Sequence, residues 1–367
     1  MYAYLGYPVV LWILTVGRKG GCPPGGERFV PGVTLLISAH NEEGAIEGKL
    51  DNCRDLDYPP DLLEVIVVSD ASTDATDRRV REREGQTVSL FRLPERLGKV
   101  EGINRAVAAS RSEIVVLTDA NTMLHRESIR RMIRHFTDPG VGLVSGELRL
   151  SNRLESPAGR GESAYWRYEC RIRRWESKLG RIMGATGPIY SFRRDLFRPV
   201  PANMFCDLVL PLRIAISGSR TVYEPMAMAF EEAAPSVLQD VRRRFRNGSR
   251  GSRSVREVFG AALRQGSWGV VLQLISHKIL RWISFPLVLG LLIATPQLTG
   301  SPFGWLTLLE LVFLLSVLLG GILDWAGARR NPFFAPYYLM MAHAALFLGV
   351  LIGLFSRGKP FWSPRGA

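Results

Sequence analysis

Two oxygen-bearing side chains stand two residues apart at Asp119-Ala120-Asn121, directly after the apolar run at 114–118. That run reads as a buried strand, and in an extended segment positions i and i+2 face the same way. Asp119 and Asn121 can therefore turn two hard oxygens toward one Mg²⁺ or Mn²⁺. The same residues also suit a plain turn after a strand. Other polar groups occupy comparable places. Ala39-His40-Asn41-Glu42-Glu43 follows the apolar segment 33–38, and Asp70-Ala71-Ser72-Thr73-Asp74 follows the segment 63–69. Gly98-Lys99 opens a helical stretch, and Asp207 falls in the first turn of a helix beginning at Cys206, where a carboxylate suits the helix N-terminus.

The elements that must position these groups alternate. Strand-like segments at 33–38, 63–69, 88–93 and 114–118 are separated by stretches of helical spacing near 45–53, 75–84, 99–109 and 127–136. This alternation predicts an α/β domain with a mainly parallel sheet. Open sheets of this kind take ligands beyond the carboxyl ends of their strands, where the polar groups lie. The second half is less regular: a helix at 162–178 carrying Tyr165, Trp166, Tyr168 and Trp175, a turn at 184–188, and short strands near 189–192, 221–223 and 227–230.

Several chemistries are excluded. No GxGxxG follows the first strand, and Lys99 is followed by Val100 rather than the Ser or Thr of a P-loop. The five His show no zinc spacing and there is no HExxH. Cys22, Cys53, Cys170 and Cys206 form no CxxC and read as reduced, buried thiols.

Hydropathy divides the chain. Residues 1–17 carry no charge and precede Arg18-Lys19, and three further apolar segments lie near 279–297, 305–323 and 334–354. Each of these three is near the ~20 residues that span a bilayer. The expected organisation is an N-terminal anchor at 1–17, a soluble domain at 30–255, a membrane region at 266–356 and a tail at 357–367. A signal peptide is the other reading of the first run, but it lacks a basic start and a suitable cleavage context. Residues 269–276, just before His277-Lys278, look like a short helix lying on the membrane surface. The basic flank puts the soluble domain in the cytoplasm of a multi-pass protein of the cell membrane. One N-terminal and three C-terminal spans would leave the tail outside, whereas Arg357, Lys359 and Arg365 argue for a cytoplasmic tail. The net charge of +13 gathers at Arg242, Arg243, Arg244, Arg246, Arg250, Arg253 and Arg256. That cluster reads as a positive flank touching anionic headgroups. No nucleic-acid-binding motif accompanies it.

Taken in order, the strand-end motifs resemble the family 2 glycosyltransferases of GT-A fold. The resemblance is closest to the membrane-embedded branch with the hyaluronan, chitin-oligosaccharide and poly-N-acetylglucosamine synthases. Ala39-His40-Asn41-Glu42-Glu43 is similar to the family's Ala-Tyr-Asn-Glu-Glu, which implies that Ala39, His40, Asn41 and Glu42 line the nucleobase site. Asp70 with Ser72 and Asp74 resembles Asp-Asp-x-Ser-x-Asp, with Ser69 in place of the first Asp, and implies that Asp70 holds the nucleoside. Lys99 matches the family Lys, and its charge and the helix N-terminus favour a diphosphate. Asp119-Ala120-Asn121 takes the place of the Asp-x-Asp metal motif, so Asp119 would bind donor and metal and Asn121 would be a neutral metal ligand.

Cys206-Asp207 resembles the family's acidic pair, which makes Asp207 the expected catalytic base. An attacking acceptor hydroxyl needs such a group; a helix cap is the other reading of this residue. Arg243-Arg244-Phe245-Arg246-Asn247 stands for Gln-x-x-Arg-Trp: Arg246 is retained near the leaving group and the Trp is absent. Gly184, Ala185 and Thr186 resemble the loop beneath the acceptor. Trp166 and Trp175 are either sugar platforms or packing residues of an amphipathic helix.

The resemblance implies an inverting enzyme with a GT-A nucleotide-sugar-binding domain and N- and C-terminal transmembrane helices. It would use Mg²⁺ or Mn²⁺, a nucleotide-sugar donor (a UDP-sugar), and a polysaccharide or lipid-linked acceptor at the lipid bilayer. The departures at Ser69, Asn121, Cys206 and the last motif leave open a membrane scaffold that binds a nucleotide sugar without transferring it.

Overall fold

A computed structural model describes residues 2–18, 28–85, 87–150, 157–232, 237–298, 301–328 and 331–355. Cys22 and the tail from 357 lie outside them. In the N-terminal half the chain runs α1 (Tyr7–Thr15), β1 (Val33–Ala39), α2 (Glu43–Arg54), β2 (Leu63–Ser69), α3 (Thr76–Arg81), β3 (Val88–Arg92), α4 (Lys99–Ala109), β4 (Ile114–Asp119), β5 (Met123–Leu124) and α5 (Ser128–Ile133). It continues through β6 (Val141–Leu150), α6 (Pro157–Lys178), β7 (Ile189–Arg193), α7 (Cys206–Ile216), β8 (Arg220–Glu231) and α8 (Val237–Arg264). The C-terminal part holds α9 (Trp268–Leu274), α10 (Leu280–Trp282), α11 (Ser284–Ala294), α12 (Ser301–Trp325) and α13 (Phe334–Phe355).

Among the described residues the strands form one sheet in the order β3-β2-β1-β4-β7-β6-β8-β5. Its first four strands are parallel, as the strand–helix alternation predicts. β1, β2 and β4 are Val/Ile/Leu-rich runs buried on both faces, the usual composition of inner parallel strands, whereas β3 is a half-buried edge strand. Register brings their carboxyl ends level: Ala39 lies beside Ser69, and Ser38 beside Asp119. All three strand-end motifs therefore share one edge.

The expectation of a mainly parallel sheet is corrected by the other half. β7 runs antiparallel to both β4 and β6, β8 is parallel to β6, and β5 is antiparallel to β8. The sheet is mixed. The regular alternation that predicts parallel pairing stops after β4, and which later strands become neighbours is decided by long-range packing. The two short strands expected near 221–223 and 227–230 are one strand, β8, with shifts in its register against β6.

Apolar side chains fill both faces of the sheet. One face packs Ile46, Leu50 and Cys53 of α2 and Ile129, Met132 and Ile133 of α5. The other packs Val100, Ile103 and Ala106 of α4, Val209 and Leu212 of α7, and Val255 and Val258 of α8.

Two helices are long and apolar enough to cross a membrane, Gly304–Trp325 and Phe334–Phe355. The expected span near 279–297 is broken: segments 268–282 and 284–297 meet at a 54° bend. Tyr2–Thr15 is apolar but shorter than the ~20 residues a span needs. The outer surface of α12 is a continuous apolar face, with Leu309, Leu315, Leu318 and Trp325 exposed. An apolar face of that extent is the kind a lipid or protein partner covers.

The basic helix α8 approaches α13 backbone to backbone at three glycines. A Cβ on Gly248 would meet the Leu346 carbonyl oxygen at 2.2 Å, one on Gly349 the Phe245 oxygen at 2.1 Å, and one on Gly353 the Ser249 oxygen at 2.2 Å. Small residues permit this close backbone approach, as they do at helix crossings inside membranes.

Candidate active site

At the shared strand edge the loops after β1 and β2 are tied together. Asn41 Oδ1 accepts the Thr73 N–H at 2.9 Å, and the Asn41 N–H reaches Ser72 Oγ at 3.2 Å. The Glu42 N–H donates to Thr76 Oγ1 at 2.8 Å. His40 Nδ1 lies 2.7 Å from the Asp70 carbonyl oxygen. Asn41 and Ala71 both have positive φ, 54° and 52°. Asn tolerates that conformation; for Ala it is strained.

Asp70 is buried, and its carboxylate is turned to the chain itself. Oδ1 accepts N–H groups from Leu97 at 2.8 Å and Gly98 at 3.0 Å, and Oδ2 lies 3.0 Å from the same Gly98 nitrogen. Gly98 has φ +93°, open to glycine and strained for any side chain. It delivers Lys99 to the first turn of α4.

Lys99 Nζ is bonded to Asp119 Oδ1. Burial works against the Lys99 charge, but the Asp119 carboxylate more than offsets it and holds the lysine above its ordinary pKa. These two side chains face a cavity of about 240 Å³. Asp207, Arg246, Arg250 and Tyr190 also line it. Asp207 comes from the start of α7, and burial raises its carboxyl above the usual range while Lys99 pulls it back. Cys206, beside it, is fully inside, and burial pushes its thiol up to about 12. A neutral thiol therefore occupies the position where the related pattern has an acid.

The loop 184–186 lies behind Asp207 rather than on the cavity. The Ala185 N–H donates to the Asp207 carbonyl at 2.7 Å. Thr186 is buried, with its hydroxyl on the Gly146 carbonyl at 2.7 Å and accepting from Arg173 at 2.6 Å. Gly187 and Pro188 are the residues of this turn that reach the cavity. A Cβ on Gly187 would sit 3.0 Å from Asp207 Oδ2. The two tryptophans part company: Trp175 packs with Tyr7, Leu11 and Ile172, and Trp166 lies under the Arg173 guanidinium at 5.1 Å.

Asn121 turns its amide nitrogen toward Glu231 Oε1 at 3.5 Å. Among the described residues, Asp119 Oδ2 and Asn121 Oδ1 have no hydrogen-bond partner. No cluster of three or more His, Cys, Asp or Glu is placed to hold a metal among those residues. Two open oxygens at one strand end still fit Mg²⁺ or Mn²⁺, which take few protein carboxylates and complete their shell with water and substrate phosphate.

Two contributors lie beyond the sequence reading. Lys49 of α2 is 0% exposed and reaches Thr118 Oγ1 at 3.2 Å and the Thr122 carbonyl, beneath Asp119. Burial pulls its pKa down to about 8, and Cys53 and Asp119 oppose that fall. Arg250 stacks on Phe205 at 5.2 Å and bonds the Ala202 carbonyl at 2.7 Å. The i, i+4 spacing of Arg246 and Arg250 on one helix is the signal that finds it.

A mixed sheet with a polar edge of strand ends, an acidic strand terminus, a lysine at a helix start and a half-buried aspartate defines a GT-A-like α/β domain. Residues 34–200 match the family described as Glycosyl transferase family 2. The chain carries a family 2 glycosyltransferase domain. It is 26% identical over 205 residues to poly-beta-1,6-N-acetyl-D-glucosamine synthase of Staphylococcus aureus (strain MSSA476), covering 54% of this chain and 49% of that protein. It is 28% identical over 219 residues to an N-acetylglucosaminyltransferase of Rhizobium meliloti (strain 1021), covering 55% and 51%. The chain thus spans about half the length of the curated relatives it matches. In structure it is similar to the mannosyltransferase PcManGT of Pyrobaculum calidifontis, with a TM-score of 0.74 over 97% of each chain at 24% identity, a likeness of fold.

Proposed function

We propose that this protein transfers a sugar, with inversion, from a nucleotide-sugar donor to a polysaccharide or lipid-linked acceptor at the membrane. The observation that carries the proposal is the convergence of Lys99, Asp119, Asp207 and Arg246 on one cavity at the carboxyl edge of the sheet. Asp207 takes the proton of the acceptor hydroxyl as its oxygen bonds to the sugar carbon. The bond from that carbon to the diphosphate breaks, and its electron pair leaves with the diphosphate. Lys99, Arg246 and Arg250 supply positive charge for the departing group. Asp119 and Asn121 would hold Mg²⁺ or Mn²⁺, which when bound neutralises charge on the diphosphate. Ala39, His40, Asn41, Glu42 and Asp70 frame the nucleoside side, and Gly184, Ala185 and Thr186 support the acceptor side from behind Asp207. In this reading the domain faces the cytoplasm of a multi-pass protein in the cell membrane.

The relatives' names support an N-acetylglucosamine donor, and hence a UDP-sugar. PcManGT is described in complex with GDP-Man and Mn²⁺, so the panel of donors to be tested includes GDP-sugars. The test is donor turnover by the purified protein in detergent. EDTA is expected to lower turnover at least about 100-fold and Mn²⁺ or Mg²⁺ to restore it. An active enzyme indifferent to EDTA would remove the metal role of Asp119 and Asn121.

The pH profile gives a second check. A base works deprotonated, and burial raises the Asp207 pKa. Activity is therefore present above that raised value and is lost as pH falls through it. The acidic limb of kcat should lie above the ordinary aspartate value of about 3.9. A limb at or below that value would contradict the assignment.

A further inference from the structure

Helix α2 buries a charge among apolar side chains. Ile46, Leu50 and Cys53 pack into the core beneath the sheet, and Lys49 is covered as completely as they are. Its ammonium makes two hydrogen bonds, to Thr118 Oγ1 and to the Thr122 carbonyl oxygen. Among the described residues no carboxylate stands within ion-pair distance of it. The Asp119 charge acts on it only from farther off. A lysine so placed gives up water without gaining a full counter-charge, which is costly. An apolar side chain of similar length avoids that cost.

The two acceptors show what the ammonium does there. They flank the triplet Asp119-Ala120-Asn121 on either side. Thr118 belongs to β4, and Thr122 leads into β5. One ammonium thus ties the entry of the turn to its exit. Both threonines are buried, so without Lys49 the Thr122 carbonyl loses this donor where water does not replace it. Asn52, one helical turn further along α2, continues the clamp. It donates to the Leu124 carbonyl oxygen at 2.8 Å and accepts the Leu124 N–H at 2.8 Å. α2 therefore holds the chain from 118 to 124. Asn121 is neutral, so Asp119 is the one carboxylate of the triplet, and the placement of the two side chains carries more of the task. Mg²⁺ tolerates little departure from octahedral geometry.

We propose that Lys49 is a positioning residue for the turn that carries Asp119 and Asn121: by bridging Thr118 and Thr122 it fixes the two oxygen ligands in the placement that a divalent cation and the donor diphosphate require. The inference rests on the glycosyltransferase reading and adds to it a residue that acts from beneath, through the threonines. The sign of its effect separates position from charge. Removing a positive charge near a cation site, by electrostatics alone, strengthens cation binding. Loss of position weakens it.

The test measures Mn²⁺ binding to the full chain in detergent, from the spectrum of free aqueous Mn²⁺ by electron paramagnetic resonance, with UDP or GDP present and no sugar donor. Lys49→Met is expected to weaken Mn²⁺ at least about tenfold, the lower end of the ~10–100-fold that residues orienting metal ligands contribute. Thr118→Val removes one anchor and leaves the charge in place; it should weaken Mn²⁺ at least about threefold, and it decides the question if Lys49→Met does not fold. Nucleotide without metal should bind both variants as it binds the unmutated chain. Wild-type or tighter Mn²⁺ affinity in Lys49→Met, or wild-type affinity in Thr118→Val, would overturn the positioning role. Equal loss of metal-free nucleotide binding would overturn it too, because the whole domain would then have loosened. These outcomes leave the sugar-transfer reading standing. No Mn²⁺ binding by the unmutated chain with either nucleotide would instead overturn the metal role of Asp119 and Asn121, and this inference with it.

Discussion

Replacing Asp207 with asparagine is expected to lower kcat by about 10³-fold, near the middle of what a positioned general base contributes. That is about 4 kcal/mol of barrier. The substitution keeps the shape of the side chain and removes its ability to take a proton. It leaves the backbone carbonyl that accepts the Ala185 N–H in place. Burial already disfavours the Asp207 charge, so a neutral amide should not lower the melting temperature. Lys99 keeps its own partner in Asp119, so donor affinity should change by no more than a few-fold. The pattern to look for is lost kcat with retained donor binding, measured side by side. Wild-type kcat in the Asn variant would leave Asp207 as a structural carboxylate in the first turn of α7. Equal loss of donor binding would make it a binding residue instead.

The second large effect is expected far from any reacting atom. Gly349→Ala should destabilise the protein by about 2 kcal/mol or more, the scale of an overpacked interior. The new methyl would have to occupy space 2.1 Å from the Phe245 carbonyl oxygen, a backbone atom that no rotamer change can move. Relief requires α8 to back away from α13. Arg246 and Arg250 ride on α8, so sugar transfer should fall along with the melting temperature. Gly290→Ala is the matched control, because a Cβ there meets nothing within 4 Å. Thermal unfolding in detergent reads both variants. Identical melting curves would mean that the helices have room the geometry denies them.

Much of the site was legible because its residues sit at punctuation points. Asp119 ends a β-branched run, Lys99 follows a glycine at a helix start, and Asp207 lies in a first helical turn; each position is visible one residue at a time. The level ends of β1, β2 and β4 then follow from parallel pairing of similar strands. The antiparallel half was not legible, since β7 finds β4 and β6 by long-range packing that no local pattern records. Lys49 was hidden for a different reason. A lysine on an amphipathic helix reads as solvent-facing, and its burial depends on Thr118 and the Thr122 carbonyl, some 70 positions away. The pairing of Tyr7 and His277 on Glu176 is equally silent in sequence, because the partners come from an apolar N-terminal run, α6 and the bent segment. Charge alone reads the arginine cluster as a membrane flank, and only the motif resemblance singles out Arg246 within it. The cluster's helical phase is what sends Arg246 and Arg250 to the cavity beside Asp207 and Arg244 to Tyr338 of α13.

The Asp70 carboxylate carries a further implication. Its oxygens are already spent on the Leu97 and Gly98 N–H groups that set where Lys99 begins. A ribose hydroxyl that bonds Asp70 must either share those acceptor lone pairs or displace an amide. In the second case the turn before α4 is released as the nucleoside docks. Thermodynamic linkage then runs both ways: whatever fixes Lys99 on a diphosphate also changes how readily Asp70 accepts a sugar hydroxyl. Base, ribose and phosphate would be sensed as one event, and a nucleoside without its diphosphate would meet a pocket still occupied by its own main chain.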